Sequence, residues 1–210
     1  ARRGATVAAL GIFDQGFYDR MGFGTGSYIH RVAFDPAQLK PSNRARVPKR
    51  LTSEDWQEVH AARLARHRTH GSCHLTPPGI SRGEMAEADK SFGLGYRDAG
   101  GELTHFAWCH AKDMENGPYD VEVVFRTPEQ FLELMSLVAG LADQVHLVRM
   151  REPAGIQLQD LVTWPFRHAN VTRQGKYEVK TTAAAYWQAR ILDVPACMGA
   201  TRLCGPTVSF

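Results

Sequence analysis

Residues 119–150 read YDVEVVFRTPEQFLELMSLVAGLADQVHLVRM, and the fold class turns on this stretch. From Tyr119 the apolar residues fall at every second position (Tyr119, Val121, Val123, Phe125), while Asp120, Glu122 and Arg126 lie largely on the other side. That period predicts a strand with one buried face. At Thr127 the period changes. Thr127 and Gln130 make a capping box, Pro128 suits a first helical turn, and Phe131, Leu134, Met135, Val138 and Leu141 form a helical stripe. QVHLVRM (144–150) reads as a strand again. Strand, helix, strand in succession places a helix on the face of a sheet.

Upstream, LTSEDWQEVHAARLARH (51–67) opens on a second capping box, Thr52 with Asp55, and puts Trp56, Val59 and Arg63 on one helical face. ISRGEMAEAD (80–89), behind the turn TPPG, predicts a short helix. FGLGYRD (92–98) and LTHFAWCH (103–110) flank DAGGE as a hairpin. Downstream, IQLQDLV (156–162) reads as a short helix, YWQARILDV (186–194) as the last strand of the same unit, and PACMGA (195–200) as a helix leading out of it. The order helix, helix, strand, strand, strand, helix, strand, helix, strand predicts an α+β fold, one mixed sheet with helices on its faces.

Near the start, ATVAALGI (5–12) suits a buried strand, and GFYDRMG (16–22) a one-turn helix. In that turn Phe17 and Met21 are expected on the buried face, and Gly22 as the left-handed closing residue. Tyr18 is expected at the rim, its hydroxyl either a wet tip or a group placed for chemistry. In GSYIHRVAF (26–34), Tyr28 and His30 alternate with Ile29 and Arg31 and are candidates to line the same cleft. Residues 35–50 read as a linker, with the basic KPSNRARVPKR (40–50) solvated.

With 210 residues, 43% of them hydrophobic, the chain can bury one or two ordinary cores. A net charge of +3, and a basic stretch without interleaved aromatics, argue against a nucleic-acid partner. No apolar run is long enough to span a bilayer, and no stretch reads as a signal peptide. Four cysteines without a CxxC point to a reduced, cytoplasmic compartment. Cys73-His74 and Cys109-His110 match no zinc spacing, and neighbours on a strand face opposite ways, so no metal is expected. A Cys–His nucleophile pair has no more support. The four tryptophans read as core or interface residues. The acidic residues Asp14, Asp19, Asp120 and Glu122 show no spacing that singles out an amine-binding pair. The chain starts at Ala1 without methionine and stops at GPTVSF, and so reads as an excerpt.

Three stretches carry a resemblance to the GNAT acyltransferases, specifically the Eis-like aminoglycoside or lysine N-acetyltransferases. VAALGIFDQGFYDRMGFGTGS (7–27) resembles that family's strand–helix segment ending in Tyr-x-x-Phe-Gly-Tyr-Gly, with Met21 and Phe23 replacing aromatic neighbours. Residues 119–150 resemble the fourth strand and third helix of its second domain, and YWQARILDVPACMGA (186–200) its exit into a third. The resemblance implies a GNAT-like, mostly antiparallel sheet flanked by helices. It implies that residues 1–34 end a catalytic GNAT domain and that 35–50 link it to a second, degenerate GNAT-like domain over 51–200. Residues 201–210 would begin a sterol-carrier-like domain. It further implies acetyl transfer from acetyl-CoA to a primary amine, small-molecule or peptide, by direct attack. Tyr18 would be the general acid that protonates the leaving thiolate, in a homo-oligomer.

The family holds the cofactor pyrophosphate on backbone N–H groups after a Gln/Arg-x-x-Gly-x-Gly/Ala turn, and the corresponding place in the second domain reads TPEQ (127–130). Pro128 lacks a donor, Thr127 and Gln130 can satisfy others, and Glu129 adds negative charge. No residue of this chain is therefore expected to hold acetyl-CoA, and the chain by itself is expected to be inactive. A GNAT-shaped binding or interaction module without catalysis is the competing reading.

Overall fold

The computed structural model describes residues 4–11, 16–40, 44–66, 77–87, 89–164 and 179–201. Its strands are β1 (Val7–Gly11), β2 (Gly24–Thr25), β3 (Ile29–Phe34), β4 (Lys49–Leu51), β5 (Ser91–Arg97), β6 (Leu103–Ala111), β7 (Tyr119–Val124), β8 (Val148–Arg151), β9 (Lys180–Ala184) and β10 (Trp187–Ile191). Its helices are α1 (Trp56–Ala65), α2 (Pro78–Glu87), α3 (Pro128–Ala139) and α4 (Val194–Ala200). Contacts group residues 30–182 into a large unit and residues 1–29 with 183–210 into a small one.

The large unit is a seven-stranded sheet in the order β4-β5-β6-β7-β8-β3-β9. β4–β5, β5–β6, β6–β7 and β3–β8 pair antiparallel, and β7–β8, the pair that α3 bridges, is parallel. This is the expected α+β class, a mostly antiparallel sheet flanked by helices. Local chemistry sets its corners. At the β5–β6 hairpin the Asp98 N–H donates to the Glu102 carbonyl (3.1 Å), and Gly101 takes the positive φ of 85° that closes the turn. Before α3, the Gln130 N–H donates to Thr127 Oγ1 (3.4 Å) and the Thr127 N–H to Gln130 Oε1 (3.3 Å). A cap of this kind contributes about 1 kcal/mol. The box at Thr52 and Asp55 also forms, on a 3-10 turn that runs into α1.

Both faces of the sheet are covered. On one, Phe34, Cys109, Tyr119, Val121, Phe131, Leu134, Val138 and Val148 pack together. On the other, Leu51, Val59, Ala62, Met85, Phe106, Trp108 and Val124 form a second core under α1 and α2. Strict alternation in β7 had reserved this second side for polar residues, yet Val124 is buried there because α1 lies over it. Arg63 of α1 is buried on this side. Its guanidinium donates to Glu84 of α2 (3.2 Å) and to Glu122 of β7 (2.6 Å), joining two helices to the sheet.

The small unit holds a three-stranded antiparallel sheet, β1-β10-β2, with Val7 opposite Ile191 and Gln188 opposite both Leu10 and Thr25. Three expectations change here. The strand at 187–191, read as closing the second unit, pairs instead with β1 near the start of the chain. Phe17 (51% exposed) and Met21 (48%) do not share a buried face. Their turn is a 3-10 turn over Asp19–Met21, so positions four apart no longer stack as in an α-helix. Finally, the segment read as a solvated linker is tied down. Leu39 is buried, β4 pairs with β5, and Arg46 is bound by Glu133 through Nε (2.7 Å) and a terminal nitrogen (2.8 Å). Among the described residues no helix is long and apolar enough to cross a membrane.

Candidate functional site: the Tyr18 turn

Tyr18 stands at the N-cap of the 3-10 turn, and its carbonyl accepts from the Met21 N–H (2.9 Å) and the Phe23 N–H (3.2 Å). Gly22 closes the turn as expected. Its φ of 77° is left-handed, and its N–H donates to the Asp19 carbonyl (2.9 Å). The Tyr18 ring is half-buried and meets Phe17 and Phe23 edge-on, at centroid distances of 5.0 and 6.0 Å.

Two side chains of β10 reach this turn, and neither was legible as a site residue. Gln188 Nε2 donates to Asp19 Oδ1 (2.7 Å), and the Arg190 guanidinium donates to the Met21 carbonyl (2.6 Å). Residues 188 and 190 share a side of the strand, so both point toward the turn at once. The sequence offers no local signal for this, because turn and strand lie 169 residues apart.

Of the other candidates, Tyr28 lies in the small unit, 67% exposed, while His30 belongs to the large one. His30 sits on β3 with Nδ1 3.4 Å from Glu152 Oε2, and Glu152 Oε1 accepts from the Leu158 N–H (2.8 Å). The acidic residues are engaged with neighbours in the chain: Asp19 with Gln188, Asp120 with Arg149 (2.7 Å) and Glu122 with Arg63. Cys109 and His110 diverge as adjacent strand residues must. Cys109 is buried and its thiol is pushed up to about 12 by burial, whereas His110 Nδ1 lies 3.0 Å from Ser91 Oγ. Among the described residues no three His, Cys, Asp or Glu side chains gather into a metal-binding group. Asp14, Cys73, His74 and residues 202–210 lie outside the described residues.

The start of α3 can be tested as a phosphate site, and it does not fit one. Thr127 and Gln130 bond each other's backbone N–H, Gln130 Oε1 also takes the Arg126 N–H (2.7 Å), and Pro128 has no N–H to offer. Glu129 sits in the first turn, its carboxyl held below the usual range first by a hydrogen bond from Thr127 and then by its own backbone N–H. A pyrophosphate would meet occupied donors and a carboxylate.

No protein-family model matches the chain, and no curated protein matches its sequence. Solved structures do match its fold. A probable N-acyltransferase from Enterococcus faecalis V583 superposes with a TM-score of 0.73 at 16% identity, over 92% of this chain and 47% of that one. Eis1 from Mycobacterium abscessus gives 0.68 at 20% identity over 95% of this chain and 50% of that one. A GCN5-related N-acetyltransferase from Kribbella flavida gives 0.62 at 19% identity over 95% and 46%. The mixed sheet and its helices thus match the GNAT fold of these structures. The chain spans about half the length of the proteins it matches.

Proposed function

We propose that this chain is part of a GCN5-related N-acetyltransferase that moves an acetyl group from acetyl-CoA to a primary amine of the aminoglycoside, polyamine or lysine kind. The observation that carries this reading is the match of nearly the whole chain to N-acetyltransferase folds about twice its length. In this reading the small unit belongs to the catalytic domain and supplies Tyr18. The amine nitrogen attacks the thioester carbonyl, the C–S bond breaks as C–N forms, the Tyr18 hydroxyl gives its proton to the departing thiolate, and the proton that the nitrogen loses on becoming an amide restores the phenol. Tyr28, in the same unit, would line the amine pocket. The large unit is a second GNAT-shaped domain without that chemistry, a role supported by the self-capped start of α3. It would supply the contact between copies of a cytoplasmic oligomer.

The test is acetyl-CoA consumption, with spermidine or kanamycin as acceptor, by a longer natural protein containing this chain and by its Tyr18→Phe variant. Loss of a general acid lowers kcat about 10²–10⁴-fold. Equal rates would remove Tyr18 from the mechanism. Absence of turnover with any amine would leave the non-catalytic binding module as the function.

A further inference from the structure

The one buried polar side chain among the described residues of the small unit is Gln188, 1% exposed at the centre of its sheet. Its amide is only half satisfied. Nε2 donates to Asp19, but the buried Oε1 has no hydrogen-bond partner among the described residues. A buried carbonyl left without a donor is a net cost, and a leucine at this place would avoid it. Packing therefore does not explain the glutamine. What the glutamine does, and leucine could not, is bind the Asp19 carboxylate. Arg190, two residues on, takes the Met21 carbonyl at the far end of the same three-residue turn. One strand thus holds the turn at both its first and its last residue, and Tyr18 precedes the first.

We infer that Gln188 and Arg190 are positioning residues, whose function is to fix the turn that carries Tyr18. The importance of this for acetyl transfer rests on the reading of Tyr18 above, whereas the grip itself rests on geometry alone. Without it, the hydrogen bonds described within the turn itself are short-range ones, from Met21 and Phe23 to the Tyr18 carbonyl and from Gly22 to Asp19. A turn of this length frays readily by itself.

The experiment is amide hydrogen exchange at Met21 and Phe23 in the whole chain, comparing wild type with Gln188→Leu, Arg190→Met and Arg190→Lys, each with its urea midpoint. Both bonds involve a charged group, so losing either should speed exchange at these two amides about tenfold. The midpoint of Gln188→Leu should stay level or rise, since the variant also removes the unpaired oxygen. Arg190→Lys keeps a donor and should restore most of the protection. Unchanged exchange in Gln188→Leu and Arg190→Met overturns the inference, as does faster exchange spread evenly over the chain with a lowered midpoint. In the longer protein, Gln188→Leu should lower kcat with little change in KM for the amine. Faster local exchange with unaltered kcat would uphold the grip and count against Tyr18 as the acid.

Discussion

Replacing Glu133 with glutamine probes a polar cluster that joins four segments of the large unit. The Glu133 carboxylate accepts from Arg46 at Nε (2.7 Å) and a terminal nitrogen (2.8 Å), and lies 3.0 Å from His105 Nε2. The His105 ring stacks on Tyr96 at 4.8 Å, and the Tyr96 hydroxyl donates to the Arg46 carbonyl (3.1 Å), so α3, β5, β6 and the 44–51 segment meet at one point. The hydrogen bonds from Arg46 bring the Glu133 carboxyl from 4.5 down to about 2. A depression of that size corresponds to about 3 kcal/mol of folding stability at neutral pH. Arg46 is 60% exposed, so water screens the pair, and a glutamine still accepts one bond from it; about 2 kcal/mol is the expected loss in Glu133→Gln. The sign of the pH dependence follows. The folded state binds fewer protons at Glu133 than the unfolded chain, so this stability is complete above about pH 4.5 and disappears as pH falls toward 2. Burial also lowers the His105 pKa from 6.5, so wild type loses further stability with acid below about pH 6.5. Urea midpoints followed by tryptophan fluorescence at pH 7 and pH 3 measure the difference between the two proteins. It should shrink by about half at the lower pH. A difference that is near zero at pH 7, or equally large at both, refutes the argument.

The remaining predictions concern packing and reactivity. A Cβ at Gly93 would lie 2.7 Å from Trp108 Cε3 and 2.8 Å from Leu51 Cβ, atoms that cannot swing away, whereas one at Gly95 meets the flexible ends of Leu103 (2.7 Å) and Leu51 (2.9 Å). Overpacking of this kind costs about 1–3 kcal/mol, so Gly93→Ala should lower the urea midpoint clearly more than Gly95→Ala; equal effects would count against the packing described. Cys109 is buried with its thiol pushed up to about 12, and Cys197 is half-buried. Iodoacetamide at pH 8, followed by peptide mass mapping, should modify Cys197 in the native protein and Cys109 only in denaturant.

What the sequence made legible was whatever is decided within a few residues. Thr127 and Gln130 form their box because the partners are three positions apart, and Asp98–Glu102 turns because Gly101 can take a positive φ. Gly22 was readable for the same reason. Periodicity went further but failed where a second layer intervenes. The Phe131–Val138 stripe of α3 was read as its buried side, yet Ser136 and Leu137 are also buried, and Glu133 is only 18% exposed, held by Arg46 and His105. A basic, proline-containing stretch such as 40–50 carries no sign that one of its arginines has a carboxylate waiting 87 residues away. The candidate site divides along the same line. The turn at Tyr18 and its closing glycine were read from one short string, whereas the contacts of Gln188 and Arg190 were not, because a strand's partner is set by which edges remain unpaired after the whole chain has folded. The residue that would do the chemistry is thus read locally, and the residues that would aim it are read only in three dimensions. The aim is also the easier half to lose. Substitution at Gln188 leaves the Tyr18 string intact, so a sequence that keeps GFYDRMG but not the β10 glutamine should keep the turn while holding it more loosely.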